Sequence, residues 1–284
     1  MVMTTYMFPG QGSQSKGMGA ALFAEFPDLV NKADTILGYS ITKLCLEDPE
    51  QQLGKTNFTQ PALFVVNALS YLKRRKEDNV LPNYVIGHSL GEYNSLFAAE
   101  VFDFETGLRL VKKRGELMAQ ASGGGMAAVV GLQADQVQAL IAQHQLNNIS
   151  IANYNSATQA VISGPKEAIL AAEKIFTGAG AMLYMPLNVS GAFHSPYMDA
   201  AQTEFKTFVS QFSFGVPKIP VIANVNAQPY QADQIATNLT SQITHSVQWT
   251  QMIKYLITNG ETNFIEIGPG KILTGLVKRI QKGQ

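Results

Sequence analysis

Tyr84-Val85-Ile86-Gly87-His88-Ser89-Leu90-Gly91-Glu92 joins a short apolar run to a serine framed by two glycines. Tyr84–Ile86 reads as a buried strand, and the small residues after Gly91 read as a helix running to about Ala99. A Gly-x-Ser-x-Gly turn between strand and helix is the nucleophile-elbow pattern. Tiny neighbours let the chain fold back tightly, which lifts the serine hydroxyl clear of the sheet. The following helix then aims its N-terminal N–H groups at the reacting centre. An ordinary glycine turn can carry the same five residues, and it is the strand before and the helix after that favour chemistry at Ser89. Glu92 falls in the first helical turn, where a carboxylate suits the helix dipole, and reads as structural.

Outward from this turn, Tyr6–Phe8 reads as a buried strand breaking into the loop Pro9-Gly10-Gln11-Gly12-Ser13. Met18 to Leu37 reads as helix, with a kink or a break at Pro27. Further helices are expected over Pro61 to about Lys76 and over Phe104 to Ala121. Strands and helices in this order predict an α/β layered core with a parallel sheet. From Gly125 the texture changes. Strands at 126–132, 149–155, 159–163 and 182–189 alternate with helices at 134–143 and 166–180. That order is βαββαβ, the ferredoxin-like pattern, and predicts an inserted subdomain. The first texture resumes with a strand at 219–225, a helix at 247–259 and a strand at 263–267 ahead of Gly268-Pro269-Gly270.

A nucleophilic serine needs a base, and the chain has four histidines. His88 adjoins Ser89 within one turn, which makes it a poor partner. His144 sits among glutamines and is expected in solvent; His245 reads as part of a loop before a helix. His194, in Ser190-Gly191-Ala192-Phe193-His194-Ser195, follows a strand and is flanked by small residues, so context favours it.

Arg114 lies on the apolar stripe of its helix, with Leu110, Val111, Leu117 and Met118 at i−4, i−3, i+3 and i+4. Arg109 with Glu105 and Lys112 with Glu116 read instead as surface pairs. An inward guanidinium cannot shed its charge and needs a carboxylate or phosphate partner. A distant structural ion pair, or snorkelling to the surface, answers that need equally well.

Of the 284 residues, 46% are hydrophobic and 15% charged, enough for a sizeable core. The formal net charge of +0 gives no reason to expect nucleic acid or an anionic membrane as partner. The first ten residues lack the basic and apolar regions of a signal peptide, and no run of about 18 apolar residues predicts a membrane span. Cys45 is the single cysteine, which fits a cytoplasmic protein and rules out an intrachain disulfide framework. No His/Cys ligand spacing points to a metal.

Together, Phe8-Pro9-Gly10-Gln11-Gly12-Ser13-Gln14, Gly87–Gly91, Arg114-Gly115-Glu116-Leu117-Met118, Ala192-Phe193-His194 and Gly268-Pro269-Gly270 resemble, in order, the malonyl-CoA:acyl carrier protein transacylase family. Phe58-Thr59-Gln60-Pro61-Ala62-Leu63 and Phe102–Leu108 are most similar to its discrete members, which serve modular polyketide synthases in trans. The resemblance implies a hydrolase-like α/β domain, residues 1–124 and 192–284, carrying a ferredoxin-like subdomain at 125–191. It implies Ser89 as nucleophile, His194 as base and the Gln242 backbone carbonyl as the group that orients His194. It further implies an oxyanion hole from the N–H groups of Gln11 and Leu90, and substrate contacts from Arg114, Phe193 and His88. Arg114 would pair with the malonyl carboxylate, and Phe193 would leave little room for an α-methyl branch. Gly191 stands where many malonyl-specific relatives carry histidine. The implied partners are malonyl-CoA and a phosphopantetheinylated acyl carrier protein, with no cofactor and a monomeric chain. An acyl-carrier-protein thioester hydrolase of the same fold is the rival reading; such editing relatives typically lack the arginine.

Overall fold

The computed structural model describes residues 3–78 and 81–283; Met1 and Val2, part of the N-terminal stretch considered above, lie outside them. Strand β1 (Thr4–Phe8) is buried along nearly its whole length and ends at Pro9. Helices α1 (Ala20–Glu25) and α2 (Pro27–Leu37) are separated at Phe26, so Pro27 starts a new helix at its N1 position, where a missing N–H costs nothing. Helix α3 (Ile41–Leu46) is capped by the Ser40 side chain.

Helix α4 (Thr56–Asp78) starts five residues before the expected Pro61, which sits inside it. Its middle, from Thr59 to Leu69, is buried on every side, so no polar face betrays its start. Strand β2 (Tyr84–Gly87), helix α5 (Gly91–Ala98) and helix α6 (Phe104–Gln120) follow. Asp103 caps α6 by accepting from the Thr106 N–H at 2.8 Å. The expected surface pairs on α6 do not form. Glu105 instead meets Lys32 at 2.7 Å, and Lys112 donates to the Ile36 carbonyl.

Strands β3 (Gly124–Val130), β4 (Ser150–Ser156), β5 (Gln159–Pro165) and β6 (Leu183–Pro186) form an antiparallel sheet in the order β4-β5-β3-β6. Helix α7 (Ala134–Gln143) precedes β4, and helix α8 (Lys166–Gly178) precedes β6. Side chains alternate in β3: Ala127 and Val129 join the cluster under α7 and α8, whereas Met126 and Ala128 join the main core.

The chain continues through α9 (Asp199–Val209), α10 (Ile235–Ser241), α11 (Trp249–Thr258), β7 (Asn263–Glu266) and α12 (Ile272–Gln281). The parallel sheet has the order β2-β1-β7. Alternation along β1 divides its two faces. Tyr6 and Phe8 pack into the core shared with α4 and α5, while Met7 packs with Trp249, Met252 and Leu276 of α11 and α12. Burial on both faces makes these strands near-continuous apolar runs. Each fully buried large side chain there contributes about 2 kcal/mol.

The expected strand at 219–225 is not one. Val221 makes a single parallel bridge to Val85, and Ile222 pairs once with Pro229. The ladder stops because the Asn224 N–H is drawn to the Glu92 carboxylate at 2.8 Å, and the chain then turns through Ala227 at φ 55°. Among the described residues, no helix is long and apolar enough to cross a membrane.

Candidate active site

Ser89 sits at the junction of β2 and α5 with φ 50°, a left-handed conformation that costs a non-glycine residue about 1–3 kcal/mol. The glycines on either side are there for close approach. A Cβ at Gly87 would lie 1.9 Å from the Gly91 carbonyl carbon, and one at Gly91 would lie 2.0 Å from the Phe8 oxygen. Asn224 holds the turn from outside the motif. Its Oδ1 accepts the Ser89 N–H at 2.7 Å, and its Nδ2 donates to the Gly87 carbonyl at 2.7 Å.

His194, also at positive φ (57°), places its Nε2 2.8 Å from Ser89 Oγ. Its Nδ1 lies 2.7 Å from the backbone oxygen of Gln242. A carbonyl can only accept, so Nδ1 carries the proton and Nε2 presents a lone pair to the serine hydroxyl. Burial, and then the nearby Arg114 charge, press the imidazole down to about 3, so it is neutral and ready to take a proton at neutral pH. His88 points elsewhere. It lines the cleft, its Nε2 meets Asn155 Oδ1 of β4 at 2.8 Å, and its ring packs on Trp249 at 5.5 Å. His144 and His245 are exposed.

Arg114 is 1% exposed and takes part in no ion pair among the described residues. Its Nη1 donates to Gln60 Oε1 at 2.7 Å, and its Nη2 donates to Gln242 Oε1 at 2.9 Å and to Ser89 Oγ at 3.1 Å. Its Nε has no hydrogen-bond partner among the described residues, and the Tyr93 ring lies 5.6 Å from the guanidinium carbon. A full buried charge thus stands beside Ser89, held by two neutral amides and bonded directly to no carboxylate among the described residues.

Gln11, His88, Ser89, Leu90, Arg114, Phe193 and His194 all line one cleft of ≈ 100 Å³, together with apolar walls from Met118, Met126, Leu187 and Val189. The backbone N–H groups of Gln11 and Leu90 have no protein acceptor among the described residues. Gln242 lies just behind the cleft, fully buried. At Gly191 an added Cβ would approach the Phe193 ring at 2.9 Å, so the glycine gives that ring its place. All eight residues named from the sequence therefore come together.

Four supporting groups escaped sequence reasoning. Gln60 is hidden beside a proline in the all-buried middle of α4. Asn224 lies in a misread strand. The Gln242 side chain donates to the Ser89 carbonyl at 2.8 Å and to Glu92, a role separate from its carbonyl. Glu92 is 1% exposed and binds inward, where its position alone suggested only a dipole contact.

A family model described as the acyl transferase domain matches residues 5–283. The chain belongs to the acyl transferase domain family. Within this acyl transferase family, the polyketide biosynthesis malonyl CoA-acyl carrier protein transacylase PksC of Bacillus subtilis is 56% identical over 281 residues, covering 99% of this chain and 98% of PksC. The crystal structure of the malonyl CoA-acyl carrier protein transacylase from Burkholderia pseudomallei superposes with a TM-score of 0.97 at 47% identity, covering 100% of this chain and 99% of that one. A malonyl-transacylase bound to its type II polyketide-synthase acyl-carrier protein superposes at 0.94 with 35% identity, covering 99% and 94%.

Proposed function

We propose that this acyl transferase is a malonyl-CoA:acyl carrier protein transacylase that works in trans for a polyketide synthase. The observation that carries the reading is the buried Arg114 guanidinium, lacking a direct carboxylate and 3.1 Å from Ser89 Oγ. The names borne by its relatives agree with it.

Ser89 Oγ attacks the thioester carbonyl as His194 Nε2 takes the hydroxyl proton. The resulting oxyanion is received by the N–H groups of Gln11 and Leu90; each such donor is worth about 3 kcal/mol in the transition state. Collapse breaks the C–S bond, and the departing CoA sulfur takes the proton back from His194. The second half runs the same steps in reverse, with the phosphopantetheine thiol of the carrier as nucleophile. Arg114 receives the substrate's free carboxylate. Acylation turns Ser89 Oγ into an ester oxygen, a weaker acceptor, and so frees one Nη2–H, still on the guanidinium, to donate a hydrogen bond to that carboxylate. Phe193 crowds the carbon next to the thioester carbonyl, which favours the unbranched malonyl group. His88 stays neutral under burial and serves as a cleft wall.

We read residues 1–124 with 192–284 as the catalytic domain and 125–191 as an inserted ferredoxin-like unit, on the strength of the element order and the strand order β4-β5-β3-β6. We place the monomeric enzyme in the cytoplasm, where a CoA thioester would be met; its one thiol, Cys45, is buried and free.

Malonyl-Ser89 formed from malonyl-CoA should discharge to a phosphopantetheinylated carrier far faster than to water. Fast hydrolysis without carrier loading would instead identify a thioester hydrolase.

A further inference from the structure

Among the described residues Arg114 has no direct anionic partner, yet a carboxylate stands one side chain away. The Gln242 amide lies between the two. Its Oε1 accepts from Arg114 Nη2 at 2.9 Å, and its Nε2 donates to Glu92 Oε2. The ends of an amide are opposite in polarity, so each faces the charge it complements: oxygen toward the cation, nitrogen toward the anion. Glu92 is held from the far side as well. The Asn224 N–H and the Tyr230 hydroxyl donate to its Oε1 at 2.8 and 2.9 Å.

A guanidinium buried without substrate still needs an anion to offset its desolvation. A carboxylate bonded to it directly would occupy the N–H groups that a substrate must use. We infer that Glu92 is the resting counter-ion of Arg114, a positioning residue acting through the Gln242 amide, and that the substrate's carboxylate takes over that role on binding. This rests on the reading of Arg114 as the seat of the malonyl carboxylate.

The arrival of malonyl places two carboxylates around one cation. The titratable groups facing Glu92 are Arg114 from α6, Tyr93 beside it on α5 and Tyr230 from the 223–230 turn; only Arg114 is a cation. Burial already lifts the Glu92 carboxyl to about 7, against the donors that favour its ionised form. A second anion nearby favours the neutral acid further, and Glu92 takes a proton from solvent. An acetyl group brings no anion and triggers no uptake.

Proton uptake during Ser89 acylation, read by calorimetry at pH 7 in two buffers of different ionisation enthalpy, tests this on the native protein. Malonyl-CoA is expected to draw in a fraction of a proton that acetyl-CoA does not. Equal uptake for both acyl groups, with malonyl loading intact, overturns the inference and leaves the proposed activity standing. Failure of malonyl to load at all removes both. In Glu92→Gln the malonyl-specific uptake should vanish; its persistence would assign the proton to His194 and overturn the inference. The double variant Glu92→Gln with Gln242→Glu moves the carboxylate one side chain toward Arg114 at constant net charge, and it replaces the bond to the Ser89 carbonyl by a contact between two acceptor oxygens, which bears on malonyl and acetyl loading alike. Its malonyl-to-acetyl loading ratio, read by intact mass, should fall about a hundredfold as an internal anion fills the site. An unchanged ratio would mean that the place of the charge is irrelevant, against the inference.

Discussion

The two sheets of this molecule divide the labour unequally. The parallel sheet is sandwiched between helices, and the turns at the carboxyl ends of β1 and β2 carry Gln11 and Ser89. Helix α6 and the loops around 194 and 242 supply the remaining polar groups at that end. The antiparallel sheet supplies shape: Met126 and Asn153 line the cleft, and Asn155 fixes His88. Its outer strand β6 leaves Leu183 and Met185 about half exposed. Chemistry gathers where buried parallel strands end and backbone N–H groups converge, as in open α/β sheets generally. The other sheet needs only to close a wall.

The contrast between the elbow that carries Ser89 and the outer helix of the second unit should be sharp at glycines. Gly91→Ala would drive a Cβ to 2.0 Å from the Phe8 oxygen, in backbone that cannot give way. A loss of about 3 kcal/mol or more is expected, or no folded protein at all. Gly178→Ala in α8 meets nothing within 4 Å and should be neutral or stabilising by up to about 1 kcal/mol. Thermal unfolding of the pair checks both; equal losses would mean that the backbone around the Ser89 turn gives way to a Cβ as readily as an open helix end.

A second expectation concerns pH. In the proposed mechanism His194 acts as a base only when unprotonated, and burial with the Arg114 charge holds its proton affinity far below the ordinary histidine range. In Glu92→Gln, which removes the other group that titrates in this range, the rate of Ser89 acylation at saturating malonyl-CoA should therefore stay flat from pH 8 down to about 5, with no limb near the unperturbed histidine value of about 6.5. A limb at that value would mean that the site is wetter than its geometry. The smallest effect belongs to β6: Leu183→Ser should change stability by less than about 0.5 kcal/mol and leave acylation untouched.

Local signals in the chain carried the strand–turn–helix around Ser89, the βαββαβ order and the inward face of Arg114. Each depends on neighbours within a few residues. What escaped depends on partners far away in sequence. The stretch at 219–225 looks like a strand until the Asn224 N–H finds Glu92, 132 residues earlier. Glu92 sits where a helix dipole would place it, and nothing nearby reveals that it faces Gln242, 150 residues on. Helices α9 and α12 do carry apolar spacing, Ala201-Phe205-Val209 and Leu273-Leu276-Val277-Ile280, and that signal was available. Gln60 had none, because the part of α4 around it, from Thr59 to Leu69, is buried all round and has no face to read.

In the proposed mechanism the Arg114 guanidinium selects the acyl group that reaches Ser89. Competition between malonyl-CoA and acetyl-CoA for the native protein and for Arg114→Ala, with the acyl group on Ser89 read by mass, tests it most directly. The native protein should load malonyl almost exclusively, and the variant should lose about a hundred- to a thousandfold of that preference. An Arg114→Ala protein that still prefers malonyl would contradict the account.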